Sequence, residues 1–329
     1  MSAEPNVNQQ GAMTPMPNRR RRLWLTVFGA LLVFACALTT TFAFLPAAED
    51  VPIPLAQQGG GARQTDDSLT GLQAPWPELE PVDADLAALG RLLFYDPVLS
   101  ANDDLSCASC HHPDLGFADG RALAAGSHGA DLRRNAPTLW NVAYATSLFW
   151  DGRATSLEEQ MLIPLTAADE MGADVNQMLG QLGAIDEYVR LFANAYGEAE
   201  DPDVIRVDRI AEAIAAYERT LISDDAPFDR FAAGDFNALT PAQRRGFDVF
   251  RSAQTRCFEC HAWPTFTHNT FHVLGVPDVE GQPPDLGRAE SVSAPDAARA
   301  FRTPGLRNVA LTAPYMHNGA FATLDEVID

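Results

Sequence analysis

The 329-residue sequence contains no lysine, so all 23 of its basic residues are arginine. Acidic residues number 44, and the formal net charge at pH 7 is −21. This charge disfavours a nucleic-acid partner, because the phosphate backbone would be repelled. A basic protein partner would be steered toward the chain, although the same acidity would arise if it served solubility alone.

Cysteine is also scarce, and its placement excludes a disulfide framework. Four of the five cysteines belong to two Cys-x-x-Cys-His motifs, Cys107–His111 and Cys257–His261. The fifth, Cys36, lies in an apolar run and is typical of a buried hydrophobic residue. No cysteine pair is left for a structural disulfide, so stability must come from core packing and from the groups that the two motifs bind.

Each Cys-x-x-Cys-His motif is typical of c-type haem attachment. Two thiols three residues apart can form thioethers with the two vinyl groups of one porphyrin. Zinc and thiol-redox sites share the Cys-x-x-Cys part, but not the added histidine. The sequence therefore predicts two covalent haem c groups, with His111 and His261 as proximal iron ligands. The thioether-forming cysteines are Cys107, Cys110, Cys257 and Cys260.

The N-terminal segment predicts contact with a membrane. Arg19–Arg22 precede 23 uncharged residues, Leu23–Leu45, which are enough to cross a bilayer core. A cleaved secretory signal has a shorter apolar region and a small-x-small cleavage site, and the residues around Pro46 form a poor one. The favoured prediction is an uncleaved transmembrane anchor, with a cleaved signal or a twin-arginine signal as alternatives. The positive-inside rule makes residues 1–22 a cytoplasmic tail and places everything after Pro46 on the periplasmic side.

The rest of the chain predicts a linker followed by two modules. Residues 46–75 are rich in proline, glycine and glutamine, which is typical of a flexible linker. Gly90–Phe94 precedes the first haem motif as Gly246–Phe250 precedes the second, and each predicts a short helix beside its haem. The predicted haem domains are therefore 76–222 and 223–329.

Between the motifs the apolar periodicity is helical, with spacings of three and four. One stripe holds Leu182, Ile185, Val189, Phe192 and Tyr196, and the next holds Ile210, Ile214, Tyr217 and Leu221. Both stripes predict core-facing helices. Together with the alanine-rich composition and the lack of alternating β-branched runs, they predict an all-α fold of two cytochrome c-like haem domains.

The segment after the first motif carries further groups suited to chemistry, in Arg134–Thr138, Phe149–Arg153, Ser156–Gln160 and Asp169–Met171. With these motifs the chain resembles the bacterial di-haem cytochrome c peroxidases of the MauG superfamily. Matching motifs run from Leu89 to Val327 and cover nearly all residues after the linker. The resemblance implies that the first haem is peroxidatic and that the second receives electrons.

The resemblance also implies roles for three residues near the first haem. Glu170 matches the distal carboxylate that moves a proton between the two peroxide oxygens, and Gln160 matches the distal amide that orients peroxide or water. Trp150 matches the tryptophan that relays electrons between the haems. Taken alone, Glu170 is typical of a surface acid and Trp150 of a core aromatic residue.

A calcium site between the haems is implied as well. Asn135 would bind through its side-chain oxygen, and Thr312 and Pro314 through their backbone carbonyls. Such hard oxygen ligands suit Ca²⁺, with waters completing the shell. Without the resemblance, the Asn-Ala-Pro and Thr-Ala-Pro segments would predict turns only.

The remaining histidines are assigned by the same comparison. His128 resembles the mobile distal histidine of the family's peroxidases, but it falls one residue late. If it is not a ligand, the first haem is five-coordinate, as in MauG. We expect hydrogen bonding rather than iron ligation from His268, His272 and His317, and we expect His112 to be exposed.

The sequence departs from the family near its end. The sixth ligand of the second haem, a methionine in the peroxidases and a tyrosine in MauG, would align about two residues after Asp329. The second haem domain is therefore predicted to be C-terminally incomplete. If the chain ends there, we expect the second haem to be five-coordinate, bound by water or bound by a neighbour such as Met316.

The function predicted from these features is reduction of H₂O₂ to water. The electrons would come from a small cytochrome c or a cupredoxin. The alternatives are a MauG-like oxidase that modifies a partner protein and a non-enzymatic di-haem electron carrier. A carrier would have both irons six-coordinate.

Overall fold

The structure, a computed structural model, describes residues 76–129, 131–198, 201 and 203–329, except for the side chain of His128. The predicted tail 1–22, anchor 23–45 and linker 46–75 lie outside the described residues, so these three remain predictions. No helix within the described ranges is long and apolar enough to span a bilayer.

The described residues form mostly short helices joined by long loops. The α-helices are α1 Ala84–Tyr95, α2 Cys107–Cys110, α3 Leu157–Thr166, α4 Val175–Gly183, α5 Asp186–Tyr196, α6 Val207–Arg219, α7 Pro227–Ala232, α8 Pro241–Phe250, α9 Cys257–Cys260, α10 Arg288–Ser291 and α11 Leu324–Ile328. Short 3₁₀ turns cover Pro97–Leu99, Pro113–Leu115, Ser127–Gly129, Val142–Tyr144, Pro295–Ala297 and Val309–Leu311. An antiparallel ribbon pairs β1 Phe271–His272 with β2 Phe301–Arg302, which the sequence pattern does not predict.

The larger hydrophobic core forms where α1 packs against α6. Asp83 caps α1 by accepting a hydrogen bond from the amide of Leu86 at 2.9 Å, and the buried face of the helix then carries Leu93 and Phe94, both 0% exposed. The stripe Ile210, Ile214, Tyr217 and Leu221 is buried as predicted. This core supports the first haem motif, because Cys107 and Ala108 pack against it.

The prediction for the other stripe is partly wrong. Leu182 and Phe192 are fully buried, but Ile185 and Val189 are 41% and 37% exposed. The cause is a break in the helix, since α4 ends at Gly183 and Ile185 is the residue before α5. The two helices therefore differ in phase, and one apolar face cannot continue through both.

The second motif stands beside a smaller, aromatic core. Phe231, Leu239 and Phe247 are buried there, with Phe228 and Trp263 packed against them. The helix α8 contains the predicted repeat Gly246–Phe250, as α1 contains Gly90–Phe94. Both predicted helices are confirmed, whereas the division into domains at residue 222 remains a prediction.

The closest approach of α1 and α6 requires a glycine. A Cβ atom at Gly90 would overlap the carbonyl oxygen of Ala213. Gly180, in the interior of α4, has no atom near the position that its Cβ would take. The two glycines therefore differ in the space around them, although both are helical.

We expect Gly90→Ala to lower the free energy of unfolding by about 1–3 kcal/mol, the usual cost of overpacking. The control Gly180→Ala should raise it by up to about 1 kcal/mol, because alanine favours the helix. Urea unfolding of the haem-loaded variants, followed by far-UV circular dichroism, measures both. Equal effects from the two substitutions would contradict the proposed α1–α6 contact.

Candidate functional site

The first Cys-x-x-Cys-His motif borders a cavity of about 500 Å³. Cys107, Cys110 and His111 line it, with the two thiols on the single turn of α2. The Nδ1 of His111 lies 3.0 Å from the carbonyl oxygen of Phe117. An Nδ1–H that donates to this carbonyl leaves Nε2 free to bind a metal, which is the usual arrangement of a ligating histidine. Burial lowers the pKa of His111, so the imidazole is neutral, as a ligand must be.

The second motif repeats this arrangement at a cavity of about 460 Å³. Cys257, Cys260 and His261 line this cavity, and the Nδ1 of His261 lies 2.9 Å from the carbonyl oxygen of Phe266. Phe117 and Phe266 both have positive φ angles, 57° and 56°. The backbone therefore turns the same way after each motif and presents one carbonyl to each histidine.

The surroundings of a half-buried arginine indicate whether haem fits these cavities. Arg302 lines both of them, and none of the ion pairs among the described residues includes it. Its guanidinium donates only long hydrogen bonds, of 3.3 Å each, to the carbonyl of Phe149 and the side chain of Asn269. Burial lowers the pKa of Arg302 to about 10. A cation that lines both cavities without an acidic partner fits a bound anion, and haem carries two carboxylates, so the residues present fit the group.

The first cavity also brings together the predicted catalytic pair. Gln160 and Glu170 both line it. Gln160 lies in α3, which contains Pro164 and ends at Thr166. The chain then turns back, and the amide of Met171 donates to the carbonyl of Pro164 at 3.0 Å. The amide of Ser127 holds the returning segment through the carbonyl of Glu170 at 2.9 Å.

The surroundings of Glu170 change its acidity. Burial raises the pKa of its carboxyl above the ordinary value; Asp169 adds to the effect and Arg153 opposes it. The side-chain amide of Gln160 makes no hydrogen bond to other described residues. It is therefore free to form a hydrogen bond with a molecule bound in the cavity. The pair thus combines a carboxyl of raised pKa with an uncommitted amide.

Trp150 lies in the wall between the two cavities and lines both. Its indole Nε1–H donates to the carbonyl of Asn135 at 2.9 Å, and its own carbonyl accepts from the amide of Arg302 at 2.8 Å. The ring of His317 meets the indole edge to face, with centroids 6.5 Å apart. The tryptophan is therefore fixed at both its backbone and its ring.

The three predicted calcium ligands share the second cavity, and Asn135 lines the first as well. The side-chain amide of Asn135 donates to the carbonyl of Arg121 at 2.7 Å, which leaves its Oδ1 available. The carbonyls of Thr312 and Pro314 accept no hydrogen bond from the described residues. This set of oxygens fits a hard cation.

The histidines outside the motifs occupy different surroundings. His112 is exposed, as predicted. His317 is 6% exposed, and its ring stacks on Phe301 with centroids 3.6 Å apart. Burial lowers its pKa to about 4. His268 and His272 stack on each other instead. The side chain of His128 lies outside the described residues, so its role as a ligand remains a prediction.

Arg302 and Glu218 are among the charged residues of the cavities that the sequence motifs do not predict. Besides Arg302, Glu218 lines the first cavity; it is 4% exposed, and its Oε2 has no hydrogen-bond partner. Burial raises the pKa of Glu218 to about 8, although Arg219 opposes the shift. No local pattern distinguishes Glu218, at the end of the amphipathic α6, from a solvated surface acid.

An ion-pair network joins the wall of the first cavity to the loop before α10. Arg134 forms ion pairs with Asp151 and Asp285, each at 2.7 Å. Arg133 and Arg134 also pair with Glu290. Because Arg134 and Asp151 line the cavity, and Asp151 follows Trp150 in the chain, this network fixes the backbone next to Trp150.

Haem attachment gives a direct test of these assignments. A pyridine haemochrome assay should find about two covalent haems per chain, since each motif holds one. The double variant Cys257→Ala/Cys260→Ala should retain about half of that haem. The control Cys36→Ala should load like the parent chain, because Cys36 belongs to neither motif. A parent chain with one haem or none would contradict the two-centre site.

Comparisons with known proteins identify the family of this chain. The model of the family described as di-haem cytochrome c peroxidase matches residues 84–237. The methylamine utilization protein MauG of Methylophilus methylotrophus is 40% identical over 257 residues, which are 77% of this chain and 74% of that protein. The cytochrome-c peroxidase IdrP1 of Pseudomonas sp. (strain SCT) is 37% identical over 284 residues, covering 78% of this chain and 74% of that protein.

A solved structure shares the fold as well. The crystal structure of a MauG-like protein associated with microbial copper homeostasis superimposes with a TM-score of 0.70 at 38% identity, and the match covers 78% of this chain and 79% of that one. The resemblance predicted from the motifs is thereby confirmed, and with it an oxidoreductase family whose members carry two haem groups. The chain belongs to the di-haem cytochrome c peroxidase family.

Proposed function

We propose that this protein is a peroxidase that reduces H₂O₂ to water with two electrons and two protons. The observation that carries the proposal is that Gln160, Glu170 and His111 line one cavity. Haem bound there would supply an iron that coordinates peroxide and accepts electrons. A general acid–base group and an orienting amide beside it are what O–O cleavage needs in addition.

Glu170 is the group that moves the proton. Its carboxylate would take a proton from one peroxide oxygen and return it to the other, which makes the departing oxygen a water molecule. Burial raises its pKa toward the pH of the solution, where one group can both accept and donate a proton efficiently. Gln160, with its uncommitted amide, would hold the peroxide in line with that carboxylate.

Electrons would enter at the second haem and pass through Trp150. This residue lines both cavities, and its hydrogen bond to Asn135 fixes the indole in the wall between them. A calcium ion held by Asn135 Oδ1 and by the carbonyls of Thr312 and Pro314 would stabilise the same wall. Removal of calcium would then loosen the support of Trp150.

The donor we propose is a small basic cytochrome c or a cupredoxin on the periplasmic side of the inner membrane. A net charge of −21 would draw a basic protein toward this chain and accelerate their encounter. Covalent haem c is attached on that side of bacterial membranes, and the predicted segment 23–45 would anchor or export the protein there.

A MauG-like activity, in which a partner protein is oxidised, is the second candidate. It is favoured by the 40% identity to proteins named MauG. A MauG-like oxidase would turn over reduced cytochrome c poorly while oxidising a dedicated partner. Steady-state oxidation of reduced cytochrome c by H₂O₂ separates the two candidates, since only the peroxidase sustains it. An electron carrier would show no peroxide-dependent turnover at all.

The variant Glu170→Gln tests the peroxidase assignment. We expect kcat for H₂O₂ reduction to fall by about 10²-fold or more, the usual contribution of a general acid–base group. The control Glu187→Gln removes an exposed carboxylate of α5 and should leave kcat unchanged. The acid limb of the parent profile of kcat/KM against pH should lie above the ordinary glutamate range, because activity needs the ionised form and burial raises its pKa. An unchanged rate in Glu170→Gln would remove this residue from the mechanism.

A further inference from the structure

A cluster of three potential metal ligands lies beside the second haem motif. The Nε2 atoms of His268 and His272 are 3.3 Å apart, and the Nε2 of His272 is 3.9 Å from the Sγ of Cys260. One ligand atom from each of these residues falls within 4.8 Å of the other two. The two imidazole rings are stacked, with centroids 5.2 Å apart and an interplanar angle of 12°.

The backbone places each histidine independently of the other. The amide of His268 donates to the carbonyl of Cys260 at 3.1 Å, which ties this histidine to the haem motif. His272 belongs to β1 and pairs with Phe301 of β2. Asn269 lies between them with a φ of 57°, so the chain reverses its direction locally. The fold therefore supplies two converging imidazoles from two different anchors.

The three potential ligand atoms favour one class of metal ion over others. Once Cys260 is attached to haem, its sulfur is a dialkyl sulfide, the same ligand type as the thioether of methionine. Two imidazoles and a thioether are neutral ligands, and thioether sulfur favours Cu(I) among the biological metals. No carboxylate joins the cluster among the described residues, so a hard divalent cation has little to bind there.

Two of the three separations in the cluster can be compared with those around one bound ion. For metal–nitrogen bonds of about 2.0–2.1 Å, two nitrogens on a tetrahedral or trigonal ion lie about 3.3–3.6 Å apart. A sulfur bound at about 2.3 Å would lie about 3.5–3.8 Å from either nitrogen. The observed separations of 3.3 Å and 3.9 Å are close to these values. The two histidines are half-buried and Thr270 is exposed, so an ion can enter from solvent.

We propose that His268, His272 and the sulfur of Cys260 form a cuprous-ion site at the edge of the second haem. The site is separate from the peroxide chemistry at the first haem. The competing arrangement is a hydrogen-bonded histidine pair, because the hydroxyl of Thr270 lies 3.0 Å and 3.1 Å from the two Nε2 atoms. The two arrangements differ in whether the protein takes up metal.

Competition for Cu(I) tests the proposal directly. Haem-loaded protein, fully reduced and kept anaerobic, is titrated with Cu(I) presented as its bicinchoninate complex. We expect one cuprous ion to transfer per chain. His268→Asn and His272→Asn should each bind at least about 10-fold more weakly, since even the outer partners of metal ligands contribute that much. X-ray absorption of the loaded protein should show two nitrogens and one sulfur on copper.

The control is His112→Asn, which removes an exposed imidazole outside the cluster and should bind Cu(I) like the parent chain. The haemochrome content of every variant shows whether the second motif has remained intact. A parent chain that takes no Cu(I) from the chelator, or histidine variants that bind like the parent, would overturn the site in favour of a hydrogen-bonded pair only. Neither result of the Cu(I) titration bears on whether the protein reduces H₂O₂. The copper site and the peroxidase function can therefore fail separately.

Discussion

The hydrogen bond from the Nδ1 of each motif histidine to a phenylalanine carbonyl determines where an iron can be held. His111 and His261 are each held this way, by Phe117 and Phe266. The contact fixes the orientation of the ring and leaves Nε2 as the coordinating atom. Both phenylalanines adopt a left-handed backbone to make it, at a local energetic cost that the surrounding packing offsets. The Nε2 atoms of His111 and His261 therefore define the positions of the two centres.

The wall between the cavities joins the two centres into one system. Trp150, Asn135 and Arg302 line both cavities, and the hydrogen bonds of Trp150 connect all three. The ion pairs of Arg134 with Asp151 and Asp285 stabilise the same stretch of chain. The two sides nevertheless differ in chemistry. Glu170 and Gln160 face only the first cavity, which is why the proposed peroxide chemistry belongs there.

The parts of the site that the sequence predicts are those encoded by close spacing. Each haem motif occupies five consecutive residues. It can therefore be recognised in the sequence whatever the arrangement of the loops around it. The roles of Glu170 and Gln160 follow from the resemblance to a family, and the structure brings both residues to one cavity because the chain turns back after the helix ends at Thr166. Arg302 could not be predicted, since its importance arises from a ribbon that joins two distant loops. The break between α4 and α5 was missed for a related reason, because apolar spacing alone does not reveal where a helix restarts.

The most direct test of the account is a single turnover. Protein with both haems reduced is mixed anaerobically with one equivalent of H₂O₂ per chain, and the oxidation of each haem is followed by stopped-flow absorbance. We predict that both haems are oxidised together, because peroxide takes two electrons at the first centre and Trp150 connects the second. Oxidation of one haem only, or of neither, would contradict a peroxidase in which the two centres act as one.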